Sequence, residues 1–447
     1  MRLLSAAACL LYLVAALELA NAAYCSGAPE PGERTNENAL NLDANLKVVK
    51  RVENGVLMYA GPDNARFPVI HLYGSPYQRG FAQGALIKEQ VVAFVHKTFA
   101  YLISMAVDGM DNRFPKIVLE KIVQFGIKEA LAWCAKVTAP FTPQAYFDEL
   151  RGLADSSGVE YDLLLQLNLF PEITKASCSF MGSWDSASEG GKTYQLRALD
   201  YDTDGPFKDF PLVSIYHPEE DDGHGFASIG FPASIGALTG FSQAQLGMSE
   251  IGVSFPDDSF GQGTRNTPPE KVHGIPWMFL FRDVLQYSKS LPEAIDTIQA
   301  ANRTCNLILG VGDGKAKAVS GIEYSGYVAV PYSSANLLPQ NATWHPQVKD
   351  VVYNGMDWLC PNFDMVLGQQ LQKFASSSAI SPQTLAGNIL PTVQTGNLHA
   401  ALYDLEESVV YVSFMRTSDA DESEPYYAYQ RPFTALDMKV LFAVEAK

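Results

Sequence analysis

Three short segments read together organise the whole chain: Ala176-Ser177-Cys178-Ser179-Phe180, Gly190-Gly191-Lys192-Thr193-Tyr194 and Leu196-Arg197-Ala198-Leu199-Asp200. They form an apolar strand headed by a cysteine, a glycine turn, and a second strand that returns Arg197 and Asp200 toward the cysteine's end. A thiol beside a guanidinium has a reason to be reactive, because nearby positive charge favours the thiolate. A cysteine heading a buried strand is also ordinary packing, and on these residues alone both readings stand.

The texture changes at this point. Upstream, residues 78–100, 115–137 and 143–156 carry helical periodicity, the last opening at Thr142-Pro143, a cap followed by a first-turn proline. Residues 23–66 read as a loosely held, polar start. Downstream, strands are expected over 178–185, 192–198, 211–217, 225–230, 250–255, 305–312, 316–323, 326–330 and 408–415, with Asp313-Gly314 as a hairpin turn. Helices over 277–287 and 291–301 interrupt them. Strands in bulk with helices before and between them give an α+β class.

The 447 residues are 47% hydrophobic, enough for a large core, and carry a net charge of −17. That charge speaks against a nucleic-acid partner, which needs clustered Lys and Arg. Residues 1–22 read as a signal peptide: Arg2, an apolar run of 15 residues from Leu3 to Leu17, and the small-x-small site Ala20-Asn21-Ala22. The run is shorter than the roughly 20 apolar residues of a membrane span, and no later stretch reads as long and apolar enough. A secreted protein, or one of the lysosomal or endosomal lumen, is expected. Asn302-Arg303-Thr304 and Asn341-Ala342-Thr343 are glycosylation sequons. Of six cysteines, Cys9 leaves with the signal, so one of the remaining five is unpaired. If that one is Cys178, the other four either form two disulfides or stay as buried thiols.

The hairpin's Cys, glycine turn and Arg-x-x-Asp resemble the mature N-terminus of cysteine N-terminal-nucleophile (Ntn) hydrolases, among them choloylglycine hydrolases, acid ceramidases and isopenicillin-N acyltransferase-like proteins. Gly74-Ser75-Pro76-Tyr77-Gln78-Arg79-Gly80 with Gln83-Gly84 is similar to the acyltransferase-like opening motif. Glu149 to Asp155, Asp162-Leu163-Leu164, Asn168 and Glu172 resemble the approach to the nucleophile, and Gly247-Met248-Ser249-Glu250-Ile251-Gly252 the Gly-Met-Asn-Glu-x-Gly loop. The likeness runs in order from about residue 70 to 415, and the signal peptide and size look closest to acid ceramidase-like exported proteins.

The resemblance implies a four-layer αββα sandwich and self-cleavage between Ser177 and Cys178. The products would be chains 23–177 and 178–447, remaining together as one unit. It implies Cys178 as nucleophile, its freed α-amine as base, Asp200 orienting that amine and Arg197 favouring the thiolate. Asn354 is the candidate oxyanion donor, although Asn354-Gly355 is also an ordinary turn. The reaction implied is hydrolysis of linear or lipid N-acyl amides, ceramide-like or N-acylethanolamine-like, through a thioester, with acyl transfer to another amine as a variant. A phospholipase B-like ester hydrolase and a noncatalytic lipid-binding protein are the rivals. Ala198 and Ser249 stand where the family usually has asparagine.

No cofactor or metal is expected: the seven histidines are scattered, without zinc spacing. Gly310-Val311-Gly312-Asp313-Gly314 lacks the Lys-Ser/Thr of a phosphate loop. His399 reads as a packed, hydrogen-bonded histidine, and Trp184, Tyr201, Trp277 and Trp358 as core or acyl-pocket aromatics.

Overall fold

The computed structural model describes residues 27–108, 116–172, 174, 177–253, 271–356, 362–417 and 425–446. The chain opens with β1 (Leu40–Asn41), β2 (Lys47–Val52), β3 (Gly55–Ala60) and β4 (Phe67–Tyr73). The helices α1 (Pro76–Asp108), α2 (Lys116–Thr138), α3 (Gln144–Ser157) and α4 (Tyr161–Leu169) follow. Then come β5 (Ser177–Ser183), β6 (Tyr194–Asp200), β7 (Leu212–His217), β8 (Phe226–Gly230), β9 (Gly240–Ser242) and β10 (Leu246–Gly252). After α5 (Trp277–Tyr287) and α6 (Leu291–Ala300) lie β11 (Asn306–Asp313), β12 (Ala318–Ser325), β13 (Ala329–Tyr332) and β14 (Val351–Asn354). The remainder holds α7 (Phe363–Ala375), a helical segment over 382–393, β15 (His399–Asp404), β16 (Val409–Phe414), β17 (Arg416–Thr417), β18 (Pro425–Tyr426), β19 (Phe433–Asp437) and α8 (Met438–Phe442).

Two sheets stack to form the core. One runs β1-β19-β16-β15-β6-β5-β14 and the other β13-β12-β11-β10-β9-β8-β7-β4-β3-β2. Strands β5 and β6 lie on β10, β11 and β12, while α1, α5 and α6 cover the larger sheet and α7 with 382–393 the smaller. This is the αββα sandwich. The sheets approach unusually closely beside Cys178: a Cβ on Gly310 would lie 2.4 Å from the Phe180 ring, and one on Gly182 2.3 Å from Val319. The Gly310–Gly312 run is therefore strand, with glycine required by the facing sheet.

Four expectations change. From residue 40 the expected loose start carries strands: β2 and β3 form a hairpin whose two turn residues are Glu53 and Asn54, and β3 is buried inside the larger sheet. Asn54 takes the left-handed conformation of that turn, at φ 58°. Gly247–Gly252 is not a loop but β10, paired along its length with β11. Pro143 occupies the N-cap position of α3, one place earlier than expected, and makes no side-chain cap. And a later stretch is long and apolar enough to cross a membrane by length and composition, Pro76–Val107. In this fold one side of it is buried, through Ala82, Leu86, Val91, Phe94 and Val95.

The opening family motif has a packing role. Gly80 lies so close to α3 that a Cβ would sit 1.8 Å from the Glu149 carbonyl, and Gly152 returns the contact on Tyr77 at 2.1 Å. Residues upstream of Ser177 enter both sheets, β1 beside β19 and β4 beside β7, both in parallel.

Candidate active site

Cys178 is the second residue of β5 and fully buried, whereas Ser177 before it is exposed. Register on β6 sets Cys178 opposite Leu199, Phe180 opposite Arg197 and Ser177 opposite Asp200. Paired residues share a face of the sheet, and so do residues two apart on one strand. Arg197 thus lies on the face of Cys178, turned to the larger sheet. Asp200 flanks the Ser177–Cys178 bond.

The strand β10 completes the centre. Glu250 Oε1 accepts from Arg197 Nη2 at 2.6 Å and lies 3.8 Å from Cys178 Sγ, within reach of the thiol hydrogen. Arg197 Nε donates to Thr239 Oγ1 at 3.1 Å, and Nη1 to the Ala198 carbonyl at 2.8 Å. Thr239 Oγ1 and His399 Nε2 share a hydrogen bond at 2.9 Å. Burial drives the His399 pKa well down, with Arg197 adding to the effect, so the ring is neutral. Arg197, Glu250, Thr239 and His399 are all buried.

Burial pushes the Cys178 thiol far above its ordinary value, Arg197 pulls it back, and Glu250 and Asp200 push it further up. The thiol therefore stays protonated at neutral pH and needs a base. Burial also raises Glu250, against the pull of Arg197, which brings this carboxylate closer to the range of a proton acceptor. Asp200 is caged: Oδ1 accepts from the Gly396 and Asn397 amides at 2.8 and 2.9 Å, and Oδ2 from Thr395 Oγ1 at 2.5 Å. Burial raises its pKa and these three donors oppose the rise.

Asn354 ends β14 opposite Phe180. Its Oδ1 accepts from Tyr332 Oη at 2.5 Å and its Nδ2 donates to the Leu338 carbonyl at 2.9 Å. It is on the face of Cys178 but engaged elsewhere, with one amide hydrogen left to donate. The two family departures have local causes. A Cβ on Gly396 would already come within 3.3 Å of the Ala198 methyl, so a larger residue at 198 would crowd the loop that cages Asp200. Ser249 Oγ accepts from Gln195 Nε2 at 2.8 Å and donates to the Leu196 carbonyl at 3.3 Å.

A pocket with mostly apolar walls, open to solvent on one side, borders this centre at Glu250 and Leu199. Phe94, Phe170 and Thr174 from before Cys178 and Phe231, Leu238 and Trp277 from after it line its walls. Tyr201 lines it too; Trp184 packs against the core elsewhere, and Trp358 lies outside the described residues.

Glu250, Thr239 and Thr395 were not singled out by sequence. Only Glu250 had a signal, as the acid of the Gly247–Gly252 motif. Cys134 is a buried free thiol and Cys305 a buried thiol donating to Glu172, rather than members of two disulfides. Cys9, Cys25, Cys360 and the signal-like residues 1–22 lie outside the described residues. Asn302 is exposed, and Asn341 is half-buried with its Oδ1 accepting from the Thr343 amide at 2.9 Å. No group of three or more His, Cys, Asp or Glu converges to hold a metal among the described residues.

No family model matches the chain. It is 35% identical to protein dcd1B of Dictyostelium discoideum over 403 residues, 87% of this chain and 78% of that protein. It is 32% identical to protein dcd1A of the same organism over 443 residues, 94% of each. Among solved structures, the N-acylethanolamine-hydrolyzing acid amidase ortholog of Caenorhabditis elegans aligns at 14% identity and a TM-score of 0.35, covering 56% of this chain and 99% of that one. A mutant conjugated bile acid hydrolase from Clostridium perfringens aligns at 11% identity and 0.34, covering 59% and 93%.

Proposed function

The chain belongs to the family of the Dictyostelium discoideum proteins dcd1A and dcd1B, and for it we propose a self-processing cysteine amidohydrolase that cleaves N-acyl amides carrying an apolar acyl group. The observation that carries the reading is the shared oxygen: Glu250 Oε1 stands between the Cys178 thiol at 3.8 Å and Arg197 at 2.6 Å, beside an apolar cavity. A nucleophile, a proton acceptor and a fixed cation converge beside a pocket with apolar walls.

In the uncut chain Cys178 has no free amine, so Glu250 takes the thiol proton. Sulfur attacks the Ser177 carbonyl carbon, the Ser177–Cys178 C–N bond breaks, and the departing nitrogen takes a proton. Water hydrolyses the resulting thioester, leaving a Ser177 carboxylate and a free thiol and α-amine on Cys178. That amine, with an ordinary pKa of about 7.7–8, becomes the base for turnover, and the Asp200 carboxylate beside it orients it. Sulfur then attacks the substrate amide, the proton passes to the leaving amine, and water releases the acid. The spare hydrogen of Asn354 is the candidate oxyanion donor. Ceramide-like and N-acylethanolamine-like lipids are the leading substrates, and export through residues 1–22 is part of the same reading.

Intact mass and N-terminal sequencing of the secreted chain test it. The expected products are residues 23–177 and 178–447, 155 and 270 residues long, from the wild type and neither from Cys178→Ala. A wild-type chain that stays whole after incubation in acid sinks the proposal. Matched amide and ester substrates then decide between amidase and esterase.

A further inference from the structure

Residues 231–239 join β8 to β9, line the cavity through Phe231, Ser234 and Leu238, and end at Thr239, which holds Arg197. The segment is irregular, with Ala233 in the left-handed region at φ 62°. A buried irregular loop must find partners for its backbone groups outside a sheet or helix. Here side chains from three helices supply them. Ala233 N donates to Gln83 Oε1 at 3.0 Å, and the Ala233 carbonyl accepts from Asn168 Nδ2 at 2.8 Å. Ile235 N donates to Asn168 Oδ1 at 2.8 Å, and the Ile235 carbonyl accepts from Arg282 Nη1 at 2.7 Å. Gln83, Asn168 and Arg282 are 1%, 2% and 2% exposed, so solvent offers no substitute partner.

We propose that Gln83, Asn168 and Arg282 are positioning residues that fix the 231–239 loop, and with it the width of the acyl cavity and the placement of Arg197. Gln83 and Asn168 precede Ser177, so the N-terminal piece remains a specificity-determining part of the mature protein rather than a discarded propeptide. This rests on reading the cavity as the acyl site. Asn168 is the centre of the device, because its amide accepts at Ile235 and donates at Ala233. Among side chains of its length only asparagine does both without titrating. An aspartate there keeps the acceptor but opposes the Ala233 carbonyl with a lone pair, unless the carboxyl is protonated.

That property makes Asn168→Asp a reversible break. Binding of two neutral probes, dodecanol and octanol, is measured on the full chain by fluorescence competition at neutral and acid pH. For Asn168→Asp at neutral pH, dodecanol affinity falls about tenfold and octanol affinity less, the size expected for one buried unsatisfied group. At acid pH the substituted carboxyl, raised by burial, regains the donor and restores much of the loss. With matched N-acyl amides the same variant raises KM more than it lowers kcat. Gln83→Leu, which removes one acceptor at any pH, gives about a threefold loss without acid rescue, and carries the test if Asn168→Asp does not fold at neutral pH. Unchanged affinity for both alcohols in the folded variants overturns the proposal, as does a wild type that binds neither. A wild type that stays uncut yet shows the affinity pattern removes the self-processing reading and leaves the positioning role standing.

Discussion

Two buried Arg–Glu clusters among the described residues differ in what else their acid touches. In the first, Glu250 is shared by one guanidinium and a thiol next to an apolar cavity. In the second, Glu149 Oε2 lies 2.7 Å from Arg282 Nη2 and 3.7 Å from Arg79 Nε, so two cations share it. Arg79 also pairs with Asp222 at 3.0 Å, and Arg282 stacks over the Tyr216 ring at 4.5 Å. That second cluster ties α1, α3 and α5 together. Burial and ion pairing are common to both; what separates them is that only Glu250 also faces a thiol hydrogen.

The sharpest contrast comes from the thiols. Cys178→Ala should lose self-cleavage and hydrolysis altogether, while Cys134→Ala, on the buried face of α2, should keep both; mass spectrometry and a turnover assay read the two outcomes. Next in size is Glu250→Gln, which keeps the shape and a hydrogen-bond partner for Arg197 but removes the proton acceptor. The rate of self-cleavage should fall by about 10²–10⁴-fold, on top of the stability lost when Arg197 is left without its buried counter-charge. Glu149→Gln should show only the second effect. Leaving Arg79 and Arg282 without their shared charge costs about 3–5 kcal/mol of stability, seen in urea unfolding, while the folded fraction still cleaves itself. Equal behaviour of the two acids would erase the distinction.

The hairpin at Cys178 was legible because its two strands follow one another, joined by residues 184–193 with Gly190-Gly191 among them, and their pairing sets the register of Cys178, Arg197 and Asp200. The sandwich was legible as a family expectation and as a count of strands. What sequence could not show is what crosses between sheets. Glu250 reaches Arg197 from the other sheet, Thr239 arrives on a loop held by Gln83 and Asn168, and His399 meets Thr239 across 160 residues. None of these contacts leaves a periodic or short-range trace. Asn354 was found by its place in the family order, yet its bonds to Tyr332 and Leu338 depend on β13 and the segment after it. The β2–β3 hairpin, by contrast, was half readable: Asn54-Gly55 signals a turn, but the turn falls one residue earlier, on Glu53 and Asn54, with Gly55 paired to Val52.

The mildest test concerns Asp283, which belongs to the bracing cluster through its bond from Tyr146 Oη at 2.6 Å. Burial raises its carboxyl to about 6, against the Tyr146 hydrogen bond and Arg282, with Asp222 adding to the rise. Between its ordinary value of 3.8 and about 6, the folded state holds a proton that the unfolded chain has lost. Its contribution is therefore complete below about pH 4 and disappears as pH rises to about 6, a span of about 3 kcal/mol at most. His71 and His217 act in the opposite sense: burial lowers them to about 3 and about 4, so they lose stability as pH falls below 6.5. Asp283→Asn removes only the first contribution, and its unfolding free energy should decline less between pH 4 and 7 than that of the wild type. The pH dependence of self-cleavage should stay where it was, because Glu250 and Cys178 do not share Asp283's surroundings. A cleavage profile that moves with Asp283→Asn would mean that the two clusters titrate as one, and that bracing and chemistry are not separate in this fold.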